Sequence, residues 1–487
     1  VFLAAMGVGL LVREMWRAVP TWLKPNLFRN RSTQRQRRRR RQTTSSSLTH
    51  NDANENDDDV DTNDISDMRN IAMKLRKLFQ SAETKLNYDF DMGPPLMAML
   101  QLLSQLSQEQ MEMRRTYFQE SGKPGTAKDL DGLAEAFEFA DFAYDECPLG
   151  MTLEENLNEM GFSLIRHDKT AVPGKVGHYI AISKERKLAL IGIKGTSTIE
   201  DMLTDCCVMA VTHTLEDGPF VPGGKTEIQC HEGVLISATR LANDVQPIVE
   251  ELLLPSGYKI LVVGHSLGAA GASLIGVILR SRIPELLADS KGEKLKVLAF
   301  ASPPVLDYEN AKACASFTTT IVNNLDVVTR SSLANILITA RTLKEVNDKL
   351  KEKGLDSTLA LLRKLSKGGN DPELLMELDE LRAIVDRSVD EVDVNDPDHL
   401  YVPGKVVIMY HDGELKPNDD ADDDKNESAK IVSDEERMVY SFVLANDGTA
   451  DVLRMLQLNS RMLSDHMAPA YRSSLKALTN LASSSSS

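Results

Sequence analysis

Ser266 stands where a serine could become chemically reactive. The run Leu261-Val262-Val263 is apolar and β-branched, Gly264-His265-Ser266-Leu267-Gly268 is a Gly-x-Ser-x-Gly turn, and Ala269-Ala270-Gly271-Ala272 favours a helix of small residues. A strand, a sharp turn and a helix in direct succession make a nucleophile elbow, which holds the hydroxyl at the tip of a bend where it can meet a carbonyl carbon. Gly264 and Gly268 suit the positions flanking such a turn, because side chains there would strike the neighbouring strand and helix.

A serine hydroxyl is a poor nucleophile until a base takes its proton, and the usual base is a histidine oriented by a carboxylate. The chain order in elbow enzymes is serine, acid, histidine, which leaves His399, His411 and His466 as candidate bases. His466 lies in Met462-Leu463-Ser464-Asp465-His466-Met467, past the last predicted strand and in a loop, where a base belongs. His411 ends a strand and His399 sits in a connection before Tyr401 and Pro403, so His466 is favoured. For the acid, Asp326 follows the apolar Thr320-Ile321-Val322 by a few residues and so lies just past a strand end. Its rival is Asp307, whose other role is turn formation after Pro303-Pro304. Asp465 reads as a turn or capping residue, since adjacent side chains seldom orient one another. The tetrahedral intermediate needs oxyanion donors, each worth about 3–4 kcal/mol. One is the N–H of Leu267. The other is expected from Lys194-Gly195-Thr196-Ser197-Thr198, where Thr196 offers an N–H and a hydroxyl.

These residues need a frame. His178 to Ser183 and Leu188 to Lys194 read as strands joined by a polar turn, with further strands at Lys259 to Val263, Leu295 to Ala301, Thr318 to Asn323 and Lys405 to Tyr410. Helical stretches at Val234 to Leu253 and Ala269 to Arg280 separate several of them. Such alternation predicts an α/β fold with a mainly parallel central sheet and helices on both faces. Leu130, Leu133, Phe137, Ala140 and Ala143 mark an amphipathic helix ending at Tyr144, so the catalytic domain is expected over 127–482. Residues 331–395 interrupt the alternation as a charged, helical insertion, suited to a lid, a regulatory arm or inert decoration. Residues 412–436 form a second, acidic loop. Upstream, 69–126 reads as a helical extension with helices over 69–88 and 95–118. The stripe Leu96, Met99, Leu100, Leu103 and Leu106 in the second suits packing against the main domain, with a membrane-surface role as the alternative.

The chain has 487 residues, 42% of them hydrophobic, and a net charge of −16. That sign argues against a general nucleic-acid partner. The charge is segregated: 29–68 is a low-complexity linker, basic from Arg29 to Arg41 and acidic from Asn51 to Asp67, without the apolar content for a core. The segment 1–28 opens with an apolar run over 1–12. That run is shorter than the roughly 20 residues a bilayer span needs. It reads as the tail of a transmembrane helix, a signal-peptide core or an interfacial anchor. The basic cluster would hold its flank on the cytoplasmic side, or attract anionic lipid at about 1 kcal/mol per residue. The expected location is a membrane surface with the catalytic domain facing the cytoplasm, and an organelle-targeting segment is the alternative. Five cysteines without a CxxC spacing suggest reduced thiols, with one disulfide as the alternative. No metal or other cofactor is expected. The acidic stretch Asn418 to Asp424 could attract calcium weakly, but it lacks an EF-hand pattern and reads as a solvated loop.

Together the motifs resemble the class 3 (fungal-type) lipases. Ile193-Lys194-Gly195-Thr196 with Asp201 and Asp205 looks like their oxyanion loop, although Lys194 stands where arginine is usual. His231-Glu232-Gly233, the elbow, and Asn324-Leu325-Asp326-Val327-Val328-Thr329-Arg330 also fit. Within that family the chain is most similar to sn-1-specific diacylglycerol lipases, through the Cys207-to-Gly233 segment, Phe300-Ala301-Ser302-Pro303-Pro304, Leu400-Tyr401-Val402-Pro403-Gly404, the His466 segment and the long insertion. The resemblance implies an α/β-hydrolase fold and a serine esterase acting on acylglycerols at a membrane or lipid-droplet surface. Ser266, Asp326 and His466 would be its triad, and Thr196 and Leu267 its oxyanion donors. Diacylglycerol is the expected substrate, with phospholipids, galactolipids or triacylglycerol as alternatives. A catalytically inactive lipase-like binding module is the rival reading. His231 is too early in the chain to be the base and is expected to be structural. Oligomeric state is not legible in the sequence.

Overall fold

Side-chain alternation along the apolar strands sorts the core into two layers, one on each face of a single sheet. In β4 (Leu188–Ile193), Ala189, Ile191 and Ile193 face one layer and Leu190 the other. The same split divides Val262 from Val263 in β7 (Lys259–His265) and Val297 from Leu298 in β8 (Leu295–Phe300). The computed structural model describes residues 126–144, 151–169, 174–196, 210–355, 376–391, 399–412, 439–444 and 456–484, together with 96, 98–100, 102–104, 106, 123, 124 and 453. The expected segments 1–28, 29–68 and 69–88, all of 107–118, and the acidic stretch after Asp412 lie outside them.

Among the described residues nine strands form the sheet, in the order β1 (Lys123–Pro124), β11 (Val439–Leu444), β10 (Lys405–Asp412), β9 (Thr318–Asn323), β8, β7, β4, β3 (His178–Ser183) and β2 (Ser163–Asp168). From β4 to β10 every pairing is parallel, and the strands outside that block pair antiparallel. Helices α2 (Glu232–Pro247) and α3 (Leu267–Arg282) cover one face, while α1 (Leu133–Asp141) and α6 (Ala468–Ser484) cover the other. This is an α/β-hydrolase fold, with the expected mainly parallel sheet. A small hairpin of β5 (Ala210–Thr214) and β6 (Glu227–His231) stands beside it. Among the described residues no helix is long and apolar enough to cross a membrane.

Some local expectations are corrected. The helix predicted to run to Tyr144 is broken at Gly132, whose left-handed backbone (φ 71°) restarts it as α1, and its last residues tighten into a 3₁₀ turn at Phe142–Tyr144. The helix predicted over 234–253 changes form at Pro247, which cannot donate to the carbonyl four residues back, and continues as a wider π turn over Ile248–Leu253. Asp412, placed in the acidic loop by its charge, ends β10 and pairs with Val439.

Within the insertion, α4 (Leu333–Glu352) and α5 (Leu378–Asp390) pack together. Their core, with Leu343, Val346, Leu381 and Ile384, also takes in Leu96, Met99, Leu100, Leu103 and Leu106. The amino-terminal stripe is therefore buried against the insertion. Leu325, Val327 and Val328, which flank Asp326, and Met462, which precedes His466, belong to the same cluster.

Candidate active site

The elbow forms because strand β7 and helix α3 meet with no room for side chains between them. A Cβ on Gly264 would land on the Gly268 carbonyl, and one on Gly268 would land on the Ile193 carbonyl and lie 2.9 Å from the Gly195 nitrogen. Ser266 takes the strain of the turn, with φ 60° and ψ −133°, a conformation that non-glycine residues rarely adopt. Its N–H donates to the Phe300 carbonyl at 2.9 Å, which ties the elbow to β8.

Ser266, His466 and Asp326 come together in one buried row. His466 Nε2 lies 3.1 Å from Ser266 Oγ, and His466 Nδ1 lies 3.0 Å from Asp326 Oδ1. With Nδ1–H donating to the carboxylate, Nε2 is free to accept the serine proton. Asp326 follows β9 after Asn324, whose positive φ of 47° turns the chain out of the strand. Asp326 Oδ1 also accepts the Val328 N–H at 2.8 Å, and Oδ2 accepts the Tyr471 hydroxyl at 2.7 Å. Burial pushes the Asp326 carboxyl up, but the adjacent His466 ring and these hydrogen bonds outweigh it and hold the group below the usual carboxylate range.

His265 lies against this row. Its ring stacks on His466 with centroids 4.9 Å apart, and its Nε2–H donates to the His466 carbonyl at 3.0 Å. Burial, helped by the nearby His466, pushes His265 down to about 3, so it is neutral at ordinary pH. Tyr144 bridges two further parts of the site. Its hydroxyl donates to the His265 carbonyl at 3.1 Å and lies where a Cβ on Gly195 would stand. The loop of Lys194, Gly195 and Thr196 is thereby pressed against the first turn of α3. Thr196 lies three residues past the end of β4, and Leu267 opens α3, where the backbone N–H groups and the positive end of the helix dipole converge.

The rival residues are elsewhere. Asp307 caps a short helix by accepting the Asn310 N–H at 3.0 Å, and it also accepts the Gln229 N–H. The His399 ring stacks on Tyr401, and His411 lies within β10 opposite Tyr440. His231 caps α2, accepting the Val234 N–H at 3.3 Å. Cys230 and Cys314 are buried free thiols, whereas Cys147, Cys206 and Cys207, along with Asp201, Asp205, Ser197 and Thr198, lie outside the described residues. Among the described residues no cluster of three or more His, Cys, Asp or Glu side chains could hold a metal.

Two residues that shape the site, Tyr471 and Tyr144, carried no motif, while Arg330 stood in the Asn324-to-Arg330 motif without a role of its own and Asp465 was read as a turn or capping residue. Arg330 is buried and donates to the Asp326 carbonyl at 2.7 Å and the Asn324 carbonyl at 3.0 Å. The nearest signal for Tyr471 was its place on the apolar face of a helix just after the candidate base.

Residues 190–336 match the family described as Lipase (class 3). Diacylglycerol lipase-alpha of Rattus norvegicus is 29% identical over 180 residues, covering 34% of this chain and 16% of that protein. Diacylglycerol lipase-beta of Mus musculus is 28% identical over 181 residues, covering 35% and 23%. A lipase of Rhizopus niveus is 32% identical over 118 residues, covering 24% and 28%. The chain thus spans less than a third of each relative's length. The segment that matches the class 3 lipase family holds Thr196, Ser266, Leu267 and Asp326 and stops before His466.

Proposed function

We propose that this chain is a serine lipase that hydrolyses acyl esters of glycerolipids, diacylglycerol above all, through an acyl-enzyme. The observation that carries the proposal is the buried row from Ser266 Oγ through His466 to Asp326, with spacings of 3.1 and 3.0 Å. Ser266 Oγ attacks the ester carbonyl while its proton passes to His466 Nε2. Asp326 steadies the resulting imidazolium. The Thr196 and Leu267 N–H groups receive the oxyanion. As the intermediate collapses, the carbonyl–oxygen bond to the glycerol breaks and His466 returns the proton to the departing alcohol. Water then attacks the acyl-enzyme and gives its proton to His466, the carbonyl–Oγ bond breaks to release the fatty acid, and His466 returns the proton to Ser266 Oγ. Protein groups carry each step, so the proposal requires no cofactor.

The catalytic unit in this proposal spans 127–482, with 331–395 as an insertion. Its place of action is a membrane or lipid-droplet surface, with the catalytic domain on the cytoplasmic side. The apolar run over 1–12 and the basic cluster after it support that placement. Diacylglycerol as substrate is supported by the similarity to two diacylglycerol lipases.

Fluorophosphonate labelling tests the chemistry. The folded protein should form an adduct on Ser266, and Ser266→Ala should abolish it and lower ester turnover by about a million-fold. An unlabelled, folded protein would mean a binding module. Purified enzyme presented with diacylglycerol, triacylglycerol, phospholipid and galactolipid in mixed micelles should release fatty acid fastest from diacylglycerol. A faster release from any other class would reassign the substrate.

A further inference from the structure

His466 and Asp326 belong to different loops, so their hydrogen bond depends on something that keeps those loops in register. Asp465, the residue before His466, is only 2% exposed. Its Oδ2 accepts from Asn324 Nδ2 at 2.7 Å and from the Leu325 N–H at 3.2 Å. Its backbone carbonyl accepts from Asn323 Nδ2 at 2.9 Å. All three donors lie in Asn323–Leu325, the residues directly before Asp326. From the other side Arg330 holds the carbonyls of Asn324 and Asp326. The turn that carries the acid is thus gripped by its donors from the histidine loop and by its acceptors from Arg330.

We infer that Asp465 is a positioning residue that sets the distance and angle between Asp326 and His466. The inference rests on the hydrolase reading above. Adjacent side chains do not orient each other directly, and here they do not need to. Asp465 acts on the turn bearing the acid while its neighbour His466 receives that acid. A buried carboxylate is costly to desolvate unless hydrogen bonds offset the loss of water, and Asp465 Oδ2 accepts both of its hydrogen bonds here from one short segment. Arg461 Nε, 3.9 Å from Oδ1, stands on its outer side. The required function is acceptance at one oxygen, which an asparagine carbonyl can also supply.

The test compares Asp465→Ala, Asp465→Asn and Asp326→Ala, singly and with Asp465→Ala added to Asp326→Ala, in hydrolysis of a p-nitrophenyl ester by the full chain. A misplacement of about 1 Å costs on the order of 100-fold in rate. Asp465→Ala should therefore lower kcat by about 10- to 100-fold with KM within about twofold, and Asp465→Asn should restore most of it. In the Asp326→Ala background, Asp465→Ala should cost nothing further, because the contact it protects is already gone. An unchanged kcat, or an equal loss with and without Asp326, overturns the inference. If Asp465→Ala does not fold, Asn324→Gly removes the same amide donor while keeping the left-handed backbone, and its kcat decides in the same way. Absence of any Ser266-dependent turnover in the unaltered chain would sink the functional proposal itself. Normal turnover that Asp465→Ala leaves untouched would sink only this one.

Discussion

The Tyr471 hydroxyl donates to Asp326 Oδ2 at 2.7 Å, while His466 takes Oδ1 of the same carboxylate. Each oxygen thus has its own partner, and the carboxylate cannot rotate without losing one of them. The same hydroxyl accepts the Asn323 N–H at 3.0 Å. Tyr471→Phe should leave that buried N–H unpaired, at a cost of about 1–3 kcal/mol in stability. It should also free the carboxylate to turn, lowering kcat by about tenfold, by analogy with the loss of one positioning contact. Urea unfolding and ester kinetics on the same preparation check both. A variant with unchanged kcat would show that Val328 and His466 suffice to fix Asp326.

His265 gives the fold a dependence on acid. Its folded value of about 3 lies below the value of roughly 6.5 for a histidine in an unfolded chain. Between those values the unfolded chain binds a proton that the folded one refuses, so stability should fall as pH drops from about 6.5 toward 3. Asp326 acts in the same sense, since its lowered carboxyl stabilises the fold above the unfolded value and ceases to do so as acid protonates it. Unfolding midpoints measured from pH 4 to pH 7 should decline more steeply in the parent than in His265→Asn. Parallel slopes would refute the role given to His265.

Gly195 is where the oxyanion loop meets the elbow. A Cβ there would land on the Tyr144 hydroxyl and lie 2.6 Å from the His265 carbonyl. Gly195→Ala should push Thr196 away from Ser266. The loss of one oxyanion donor is worth about 100- to 1,000-fold in kcat, and the variant should approach that range. Labelling by fluorophosphonate should slow in parallel, while the melting temperature falls little.

The insertion core should matter for rate as well as stability. Leu343 is fully buried in the cluster that also contains Val327, Val328 and Met462. Leu343→Ala should cost about 2–5 kcal/mol. Because neighbours of both Asp326 and His466 line that core, kcat should also drop severalfold at temperatures where the variant is still folded. A pure stability loss, with unchanged kcat well below the melting transition, would separate the insertion from the site.

Much of this molecule is legible in its sequence, and the legible parts share a cause. The elbow from Leu261 to Ala272, the parallel strands and the helices between them are written in residues a few positions apart, where period and turn chemistry act through covalent neighbours. Gly264 and Gly268 belong to this class, because the close approach they permit lies within one strand–turn–helix unit. Strands β2 and β5 escaped detection because their half-exposed residues lack a strong apolar alternation. The break at Gly132 and the widened turn after Pro247 were masked by helical periods that continue across them.

By itself, the sequence singled out Ser266 and its turn, the alternating sheet-and-helix plan, and a short list of acids and bases set by chain order. The sequence favoured Asp326 and His466 within that list, but only the tertiary structure gives their spacing, sending Asp307 to cap a helix and His399 to stack on Tyr401 while bringing Asp326 and His466 to Ser266. It alone also placed Tyr471, His265, Asp465 and Arg330 around the row, and seated the Leu96–Leu106 stripe in the insertion core. Contacts of that kind depend on distances between segments far apart in the chain. Residue type and local spacing do not encode such distances until the whole core has packed.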